Sequence, residues 1–296
     1  MLMARRSDTR AGGAPRPVTG VDEPAVPPER TVRENFPVAL RILPARHRAA
    51  LGAIYRYARL VDDIGDEAPP ADRTRLLDLV DRDIDRIYAG RAPELPALRA
   101  VGTVALEHDI PQDPLRKLVR ANRQDQEAAR YDTWDQLVAY CALSADPVGH
   151  LVLHVFDAAT PERVELSDRV CTALQVIEHC QDVAEDFAAG RVYLPAEDLR
   201  AFGCTDADLG AARTTPTRLR GAVARVADRA CALLDSGAPL VGRLEGWARI
   251  SVAGYLAGGR ATLAALRDGA YDVHAAALRP SRARTLAEAL TILGGK

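Results

Sequence analysis

The chain has 296 residues, of which 48% are hydrophobic, and its formal net charge is -2. This hydrophobic fraction is enough for a substantial core and argues against a chain that is disordered throughout. The charge balance leaves no basic excess for a broad nucleic-acid-binding surface, so we expect no nucleic-acid partner.

The first segment, residues 1–30, is rich in proline, glycine and charged residues and has no periodicity, which predicts a flexible tail. It lacks the apolar stretch of a signal peptide, and the five cysteines include no CxxC pair. We therefore expect reduced thiols and a cytoplasmic protein. No run reaches the roughly 18 apolar residues that a membrane span needs.

The first strong helical signal follows this segment. Leu51, Ile54 and Val61 lie at helical spacing, and Pro69 and Pro70 are expected to end that helix. A second helix with the same periodicity follows. Its apolar positions are Leu76, Leu77, Val80, Ile84, Ile87 and Tyr88.

The remaining chain continues this pattern to its end. Further helices are predicted over residues 112–130, 133–158, 162–189, 216–236, 240–268 and 281–293. Pro147 is expected to kink or break the helix that contains it. Because strand patterns and a convincing internal linker are both lacking, the sequence predicts a single all-α domain over residues 31–296.

An acidic stretch lies at the end of the first helix. On a helix, Tyr55, Arg59, Asp62 and Asp66 fall at i, i+4, i+7 and i+11, and these offsets place them on one face. The neighbouring acids Asp63 and Glu67 are expected to form a more solvated flank.

A second acidic stretch repeats this layout more than 100 residues later. Gln175, Asp182 and Asp186 have the corresponding offsets, and either Glu178 or His179 takes the place of the arginine. Two helices that are distant in sequence thus each carry an Asp-x-x-x-Asp pair.

Aspartates at i and i+4 repel one another, and a divalent cation removes that penalty. Mg²⁺ suits such pairs, since it favours oxygen ligands and binds through one or two carboxylates with substrate phosphates. Two facing pairs would hold Mg²⁺ around a diphosphate, with Arg59 and Arg191 binding phosphate oxygens. The alternative is two solvated helix faces, and the spacing alone leaves both interpretations open.

Both acidic stretches resemble known motifs. YRYARLVDDIGDE and LQVIEHCQDVAEDFAAGRVYLP resemble the two aspartate-rich motifs of squalene and phytoene synthases. RQDQEAARYDTWDQLVAYCALSADPVGHLVLHVF resembles the central helix pair of that family. ENFPVALRILP and YC…SADPVG are most similar to its hydroxysqualene synthase branch, the HpnC type of bacterial hopanoid pathways. The similarity spans roughly residues 31 to 290.

The resemblance implies an all-α isoprenoid synthase fold, a terpenoid synthase-like helical bundle with a central cavity and Mg²⁺-bound diphosphate at its mouth. Two or three ions are expected. The resemblance implies metal binding by Asp62, Asp66, Asp182 and Asp186. It implies catalytic roles for Tyr55 and Tyr140, and also for Asp62 and Asp182. Arg59 and Gln175 would bind the diphosphate, and Val148 and Gly149 would form part of the pocket wall. Arg191 joins the diphosphate-binding set from the spacing argument.

The sequence departs from the family pattern at two positions. Glu178 stands where the family commonly has asparagine, and it is expected either to act as an additional metal ligand or to alter how many ions bind. Gln181 stands where the family commonly has arginine, which is compatible with the hydroxysqualene branch. Asp125 lies in a family-like stretch and is a further candidate. The C-terminal AAALRPSRARTL matches the family only loosely, and no phosphate-binding arginine is assigned there.

The expected reaction converts presqualene diphosphate and water into hydroxysqualene and diphosphate, without NAD(P)H. The nearest alternative is a head-to-head prenyl transferase that forms squalene, presqualene diphosphate or phytoene. A non-catalytic helical interaction protein is the alternative from another class.

The expected partners follow from this chemistry. They are an isoprenoid diphosphate, the pathway enzymes that supply presqualene diphosphate and reduce hydroxysqualene, and a membrane surface contacted peripherally. No basic amphipathic anchor stands out in the sequence.

Overall fold

A computed structural model describes residues 42–211, 213–275 and 278–295. The predicted tail over residues 1–30 lies outside these ranges. In chain order the helices are α1 Ala45–Asp66, α2 Pro70–Tyr88, α3 Leu98–Glu107, α4 Gln112–Gln124, α5 Trp134–Ser144, α6 Asp146–Val155, α7 Pro161–Gln181, α8 Val183–Ala188, α9 Ala196–Ala201, α10 Asp206–Leu209, α11 Thr217–Gly237, α12 Gly246–Asp268 and α13 Arg282–Leu293. A 3₁₀ helix, Ala238–Arg243, precedes α12.

The all-α prediction is confirmed for the described part of the chain. These residues form no β-strand, and one isolated bridge pairs Arg130 with Val192. The break expected at Pro147 is also confirmed, because α5 ends at Ser144 and Pro147 occupies the first turn of α6. Proline suits that position, since its missing N–H would have no partner in the first turn.

Two predicted helix boundaries were wrong. The helix predicted over 162–189 is interrupted at Asp182, whose φ of -98° and ψ of 17° separate α7 from α8. The sequence carries no proline or glycine there to signal the interruption. The helix predicted over 112–130 ends at Gln124, and irregular chain leads to Thr133, whose side chain accepts the Gln136 N–H and caps α5.

The predicted apolar faces of α1 and α2 form the core of one half of the molecule. Leu51, Ile54 and Val61 are buried, as are Leu77 and Ile84. They belong to an apolar cluster made by α1 to α4 together with α6. The helical spacing read from the sequence therefore selects the correct buried face.

A second apolar cluster is built around α7, which packs against α5, α6, α11 and α12. Helix α6 contributes to both clusters, because Leu151 and Val152 belong to the first and Leu153 to the second. The two acidic stretches thus lie on different halves, one at the end of α1 and one at the α7–α8 junction.

One segment of the described chain is long and apolar enough to cross a membrane by length and composition. It is Trp134–Val155, which comprises α5 and α6, and 67% of its apolar window is buried inside the protein. Burial of this kind is typical of a core helix in a globular protein.

Candidate active site

The first acidic stretch is supported by α4. Asn122 Nδ2 donates to Asp62 Oδ1 at 3.1 Å and also to the Leu118 carbonyl at 3.2 Å. Gly65 permits this contact, because a Cβ there would lie 3.0 Å from Asn122 Cγ and closer still to its Oδ1. Asn122 and Gly65 were not identified from the sequence, although both lie within or next to the stretches that carry the resemblance.

Arg59 pairs with the acids on the flank of this stretch. Its guanidinium lies 2.7 Å from Asp63 Oδ1 and 3.2 Å from Glu67 Oε1. Burial raises the pKa of Asp63, and Arg59 opposes that rise. The expected solvated flank is therefore a partly buried ion pair at Asp63, while the Glu67 side chain is 66% exposed.

The second acidic stretch keeps its helical spacing across the interruption at Asp182. The Asp182 N–H donates to the Glu178 carbonyl at 3.0 Å, and the Asp186 N–H donates to the Asp182 carbonyl at 2.8 Å. The offset that the sequence predicted between the two aspartates therefore survives, although the helix does not continue unbroken.

His179 lies at the centre of the second stretch. Its Nδ1 is 3.5 Å from Asp186 Oδ2, and its ring stacks on Tyr193 with centroids 3.8 Å apart. Its Nε2 lies 3.4 Å from Gln175 Nε2. Asp186 is buried, and among the described residues its Oδ2 accepts no hydrogen bond, so the His179 contact is an ion-pair distance only. The histidine therefore lies between the buried glutamine and the buried carboxylate.

Gln175 is held from its other end by α5. The Ser144 hydroxyl donates to Gln175 Oε1 at 2.8 Å, and both side chains are buried. Ser144 lies in the SADPVG stretch, but nothing in its spacing marked it as a partner of α7. A buried amide needs such partners, since an unpaired one costs stability.

Tyr140 belongs to a cluster of buried tyrosines around Asp125. The Tyr140 hydroxyl donates to Asp125 Oδ2 at 2.8 Å, and the Tyr193 hydroxyl donates to Oδ1 at 3.4 Å. Burial raises the pKa of Tyr140 well above its ordinary value, which keeps the hydroxyl protonated as a donor. Tyr193 stacks on Tyr140 at 5.6 Å as well as on His179, so the cluster reaches the second acidic stretch.

Arg191 joins the two acidic stretches. Its Nη2 lies 2.7 Å from Asp66 Oδ1, and the two side chains are 13% and 19% exposed. Gly190, with φ of +81°, ends α8 in a left-handed turn in which the Arg191 N–H donates to the Asp186 carbonyl. The other terminal guanidinium nitrogen, Nη1, is buried and has no hydrogen-bond partner among the described residues.

An apolar cavity lies beside α7. Its walls are mostly apolar and it is partly open to solvent, and Val148 and Gly149 line it together with Cys171, Leu174 and Tyr255. A Cβ at Gly149 would lie 2.6 Å from Cys171 Sγ, so glycine allows α6 and α7 to approach closely there. Leu174 directly precedes Gln175, which places the cavity next to the polar residues of α7.

The described contacts bring some predicted site residues together and leave others apart. Asp66 meets Arg191, and Gln175, His179 and Asp186 form one group. Arg59 is instead paired on its own helix, and Asp62 is held by α4. Tyr55 is buried on α1, and Glu178 is half-buried on α7. Gln181 donates to the Leu278 carbonyl at 2.6 Å.

The two acidic stretches supply carboxylate oxygens, which are the ligands that Mg²⁺ prefers. Within residues 42–211, 213–275 and 278–295, no group of three or more His, Cys, Asp and Glu side chains could hold a metal ion by itself. Mg²⁺ needs no such group, since it keeps several waters and uses one or two carboxylates plus substrate phosphates. Asp186 Oδ2, a buried carboxylate oxygen that accepts no hydrogen bond within the described part of the chain, is a ligand of this kind. Asp62, Asp182 and Asp186 therefore fit Mg²⁺ whose coordination is completed by a diphosphate.

Comparison with known proteins agrees with this geometry. The squalene/phytoene synthase family model matches residues 30–286. Hydroxysqualene synthase from Rhodopseudomonas palustris is 34% identical over 215 residues, 72% of each chain. Phytoene synthase from Mycobacterium tuberculosis is 31% identical over 219 residues, 73% of this chain and 72% of that one.

A solved structure extends the comparison to the fold. The crystal structure of squalene synthase HpnC from Alicyclobacillus acidocaldarius superposes with a TM-score of 0.75 at 41% identity. The match covers 80% of this chain and 89% of that one. The isoprenoid synthase fold is thus confirmed, and the chain belongs to the squalene/phytoene synthase family.

Proposed function

We propose that this protein is a hydroxysqualene synthase, which converts presqualene diphosphate and water into hydroxysqualene and diphosphate. The observation that carries the proposal is the contact between Arg191 and Asp66, which joins the two acidic stretches of a family of isoprenoid synthases. The choice of reaction within the family is supported by relatives that are named hydroxysqualene synthase, including one from Sinorhizobium fredii at 36% identity over 217 residues.

The residues around Arg191 suit a departing diphosphate. Its buried Nη1 has donor capacity that no group in residues 42–211, 213–275 or 278–295 uses, and a guanidinium binds phosphate oxygens through paired N–H groups. Arg191 therefore stabilises the negative charge that develops as the carbon–oxygen bond breaks. Bound Mg²⁺ would supply further stabilisation of that charge from Asp62, Asp182 and Asp186.

The apolar cavity suits the cationic hydrocarbon that remains. Ionisation of the cyclopropylcarbinyl diphosphate leaves a carbocation, and opening of the three-membered ring gives an allylic cation. The apolar walls keep bulk water from capturing the cation before this rearrangement.

Water then attacks the cation and forms the carbon–oxygen bond of the alcohol, and its proton leaves with the diphosphate. No electrons are gained or lost overall, so the reaction needs no nicotinamide reductant. The enzyme that supplies presqualene diphosphate must join two fifteen-carbon diphosphates head to head. The enzyme that consumes the product must replace the hydroxyl by hydride.

The direct test is an assay of the purified protein with presqualene diphosphate and Mg²⁺ in the absence of NADPH. We expect an alcohol with the mass of hydroxysqualene and one equivalent of diphosphate. Parallel reactions with farnesyl diphosphate and geranylgeranyl diphosphate test the head-to-head prenyl transferases of the family. Condensation products from either, with no alcohol from presqualene diphosphate, would replace the proposed reaction by the alternative.

A binding experiment separates an enzyme from a non-catalytic helical protein. Inorganic diphosphate with Mg²⁺ is expected to raise the thermal midpoint of the wild-type protein, because a ligand that binds the native state stabilises it. Asp62→Ala and Asp182→Ala should lose this rise, whereas Asp72→Ala, at an exposed ion pair with Arg75, should keep it. Equal midpoints with and without ligand in all four proteins would favour the non-catalytic alternative.

A further inference from the structure

The C-terminal helix α13 carries an apolar stripe that faces away from the protein. Its exposed positions Ala283, Leu286, Ala287 and Leu290 lie at i, i+3, i+4 and i+7, and we call them the outer stripe. The side chains of Leu286 and Leu290 are 62% and 63% exposed. These offsets are typical of a helix face that is buried against something.

The body of the protein is packed against a different face of this helix. Ala289, Ile292 and Leu293 are partly buried, and the last two lie against the apolar cluster around α7. The Arg249 guanidinium of α12 donates to the Leu293 carbonyl at 2.9 Å, which fixes the end of α13 on that side. Helix α13 therefore has two apolar faces, and its outer stripe has no partner among the described residues.

Positive charge surrounds the start of the outer stripe. Arg279 and Arg282 are exposed, and Arg284 is exposed and paired with Asp268 at 2.5 Å. Residues 278–295 contain these three arginines and a single acid, Glu288, so this segment has a net charge of +2 within a chain of net charge -2.

We propose that α13 docks on an anionic lipid bilayer, with the outer stripe entering the interface and Arg279 and Arg282 contacting the headgroups. Interfacial helices bind in this way, through apolar area combined with attraction of basic residues to anionic lipids. The docking does not depend on which reaction the protein catalyses.

The size of the outer stripe favours a bilayer over a protein partner. A helix of 12 residues is about 18 Å long, so a stripe along it covers on the order of 200 Å². A stable protein interface buries about 800 Å² on each partner. A bilayer requires no such area, because basic residues add to the attraction.

Docking through α13 would place the bilayer close to the apolar cavity. Helix α13 packs against α12, and α12 provides Val252 and Tyr255 to the wall of the apolar cavity. The bilayer would therefore lie one helix away from the cavity. A poorly soluble isoprenoid, which the proposed function requires, would have a short path between the two.

The test is co-sedimentation of the full-length protein with vesicles of phosphatidylcholine alone or mixed with phosphatidylglycerol. We expect sedimentation with the anionic vesicles, weakened by salt because exposed charges are screened. Leu286→Ser combined with Leu290→Ser should lower the partition coefficient by about tenfold or more. Leu106→Ser, at another exposed leucine of 53% exposure, is the matched control and should bind like wild type.

A second variant tests the charge component. Arg279→Gln combined with Arg282→Gln should reduce binding to anionic vesicles and leave binding to neutral vesicles unchanged. The proposal is overturned if the wild type does not sediment with anionic vesicles, or if the leucine variant sediments as well as wild type. Size-exclusion chromatography that shows a wild-type dimer, dissociated by the leucine variant, would also overturn it by making the stripe an interface between copies.

Discussion

Arg191 and Asp66 form an ion pair with an Nη2–Oδ1 distance of 2.7 Å across 125 residues of sequence. Each belongs to one of the two acidic stretches, and each stretch lies on a different apolar cluster of the protein. The pair therefore joins the two halves at the place where a diphosphate is expected to bind. One buried guanidinium nitrogen of Arg191 has no hydrogen-bond partner in the part of the chain that the structure describes.

Replacing the guanidinium by an apolar side chain tests this contact. Arg191→Met should lower the free energy of unfolding by about 2 kcal/mol, because a mostly buried ion pair with Asp66 would be lost. The measurement is urea unfolding at neutral pH. Arg75→Met removes a similar pair with Asp72 whose side chains are 64% and 40% exposed, so its effect should stay below about 0.5 kcal/mol. Equal stabilities of the two variants would contradict the role given to Arg191.

The hydroxyl of Tyr140 is expected to matter for turnover as well as stability. Tyr140→Phe leaves Asp125 with fewer donors and should cost about 1–2 kcal/mol of stability. It should also lower kcat about tenfold, because the tyrosine cluster that reaches His179 loses its hydrogen bond from Tyr140 to Asp125.

Tyr57→Phe provides the matched control for this change. Tyr57 lies on α1, which carries the first acidic stretch, but its buried hydroxyl donates to the Leu115 carbonyl of α4 at 2.9 Å and not to a carboxylate. We expect a comparable loss of stability with unchanged kcat, measured with the product assay. A similar fall in kcat for both variants would show that Tyr140 acts only through stability.

Glycine is needed at position 149 for close packing of α6 on α7. Gly149→Ala should lower stability by about 1–2 kcal/mol, because a Cβ would press on Ser167 and Cys171 and outweigh the better helix propensity of alanine. It should also raise KM, since the residue lines the cavity.

Helix α12 contains a glycine whose replacement by alanine is expected to raise stability and not to lower it. A Cβ at Gly254 would meet no atom within 4 Å, so Gly254→Ala should stabilise the protein by up to about 1 kcal/mol. Thermal unfolding of both variants checks the contrast. Stabilisation by Gly149→Ala would show that α6 and α7 can separate without cost.

The buried carboxyl of Asp146 should make stability depend on pH. Burial raises its pKa to about 8, with Asp168 adding to the rise, and the Thr172 hydroxyl donates to it at 2.8 Å. An unfolded aspartic acid titrates near pH ~4, so the native state holds an extra proton between about pH 4 and 8. The contribution of Asp146 to stability is therefore fully present below that window and is lost as pH rises through it, by up to about 1.4 kcal/mol per unit.

Asp146→Asn removes the titrating group and keeps an acceptor for Thr172. Urea unfolding at pH 6, 7 and 8 should show a decline for the wild type that is absent from the variant. Parallel pH profiles of the two proteins would show that Asp146 is ionised in the native state throughout this range.

The helices and their buried faces were largely predictable, because helical periodicity is a local property of the sequence. Leu51, Ile54 and Val61 repeat at the spacing of one helix face, and that face is buried. The helix break at Pro147 also has a local cause, because proline has no backbone N–H to donate within a helix. The interruption at Asp182 was not predicted, because no proline or glycine stands there to signal it.

The candidate site was predicted as two sets of residues, without the contacts that connect them. Family resemblance pointed to Asp66 and Gln175, but their partners come from other helices and have no fixed spacing from them. Ser144 is 31 residues from Gln175, and Asn122 is 60 residues from Asp62. Tyr193 lay inside a stretch that carried the resemblance, but its stacking on His179 depends on how the chain turns after Gly190.

The sequence by itself determined the helical class, the spacing of the aspartates along two segments and the family. The tertiary structure decided which arginine meets which aspartate, with Arg59 turned to Asp63 and Arg191 to Asp66. It also decided which of two apolar faces of α13 packs inward, leaving Leu286 and Leu290 outside. The physical reason is that local periodicity fixes positions along one helix, whereas contacts between helices depend on the burial of the whole core.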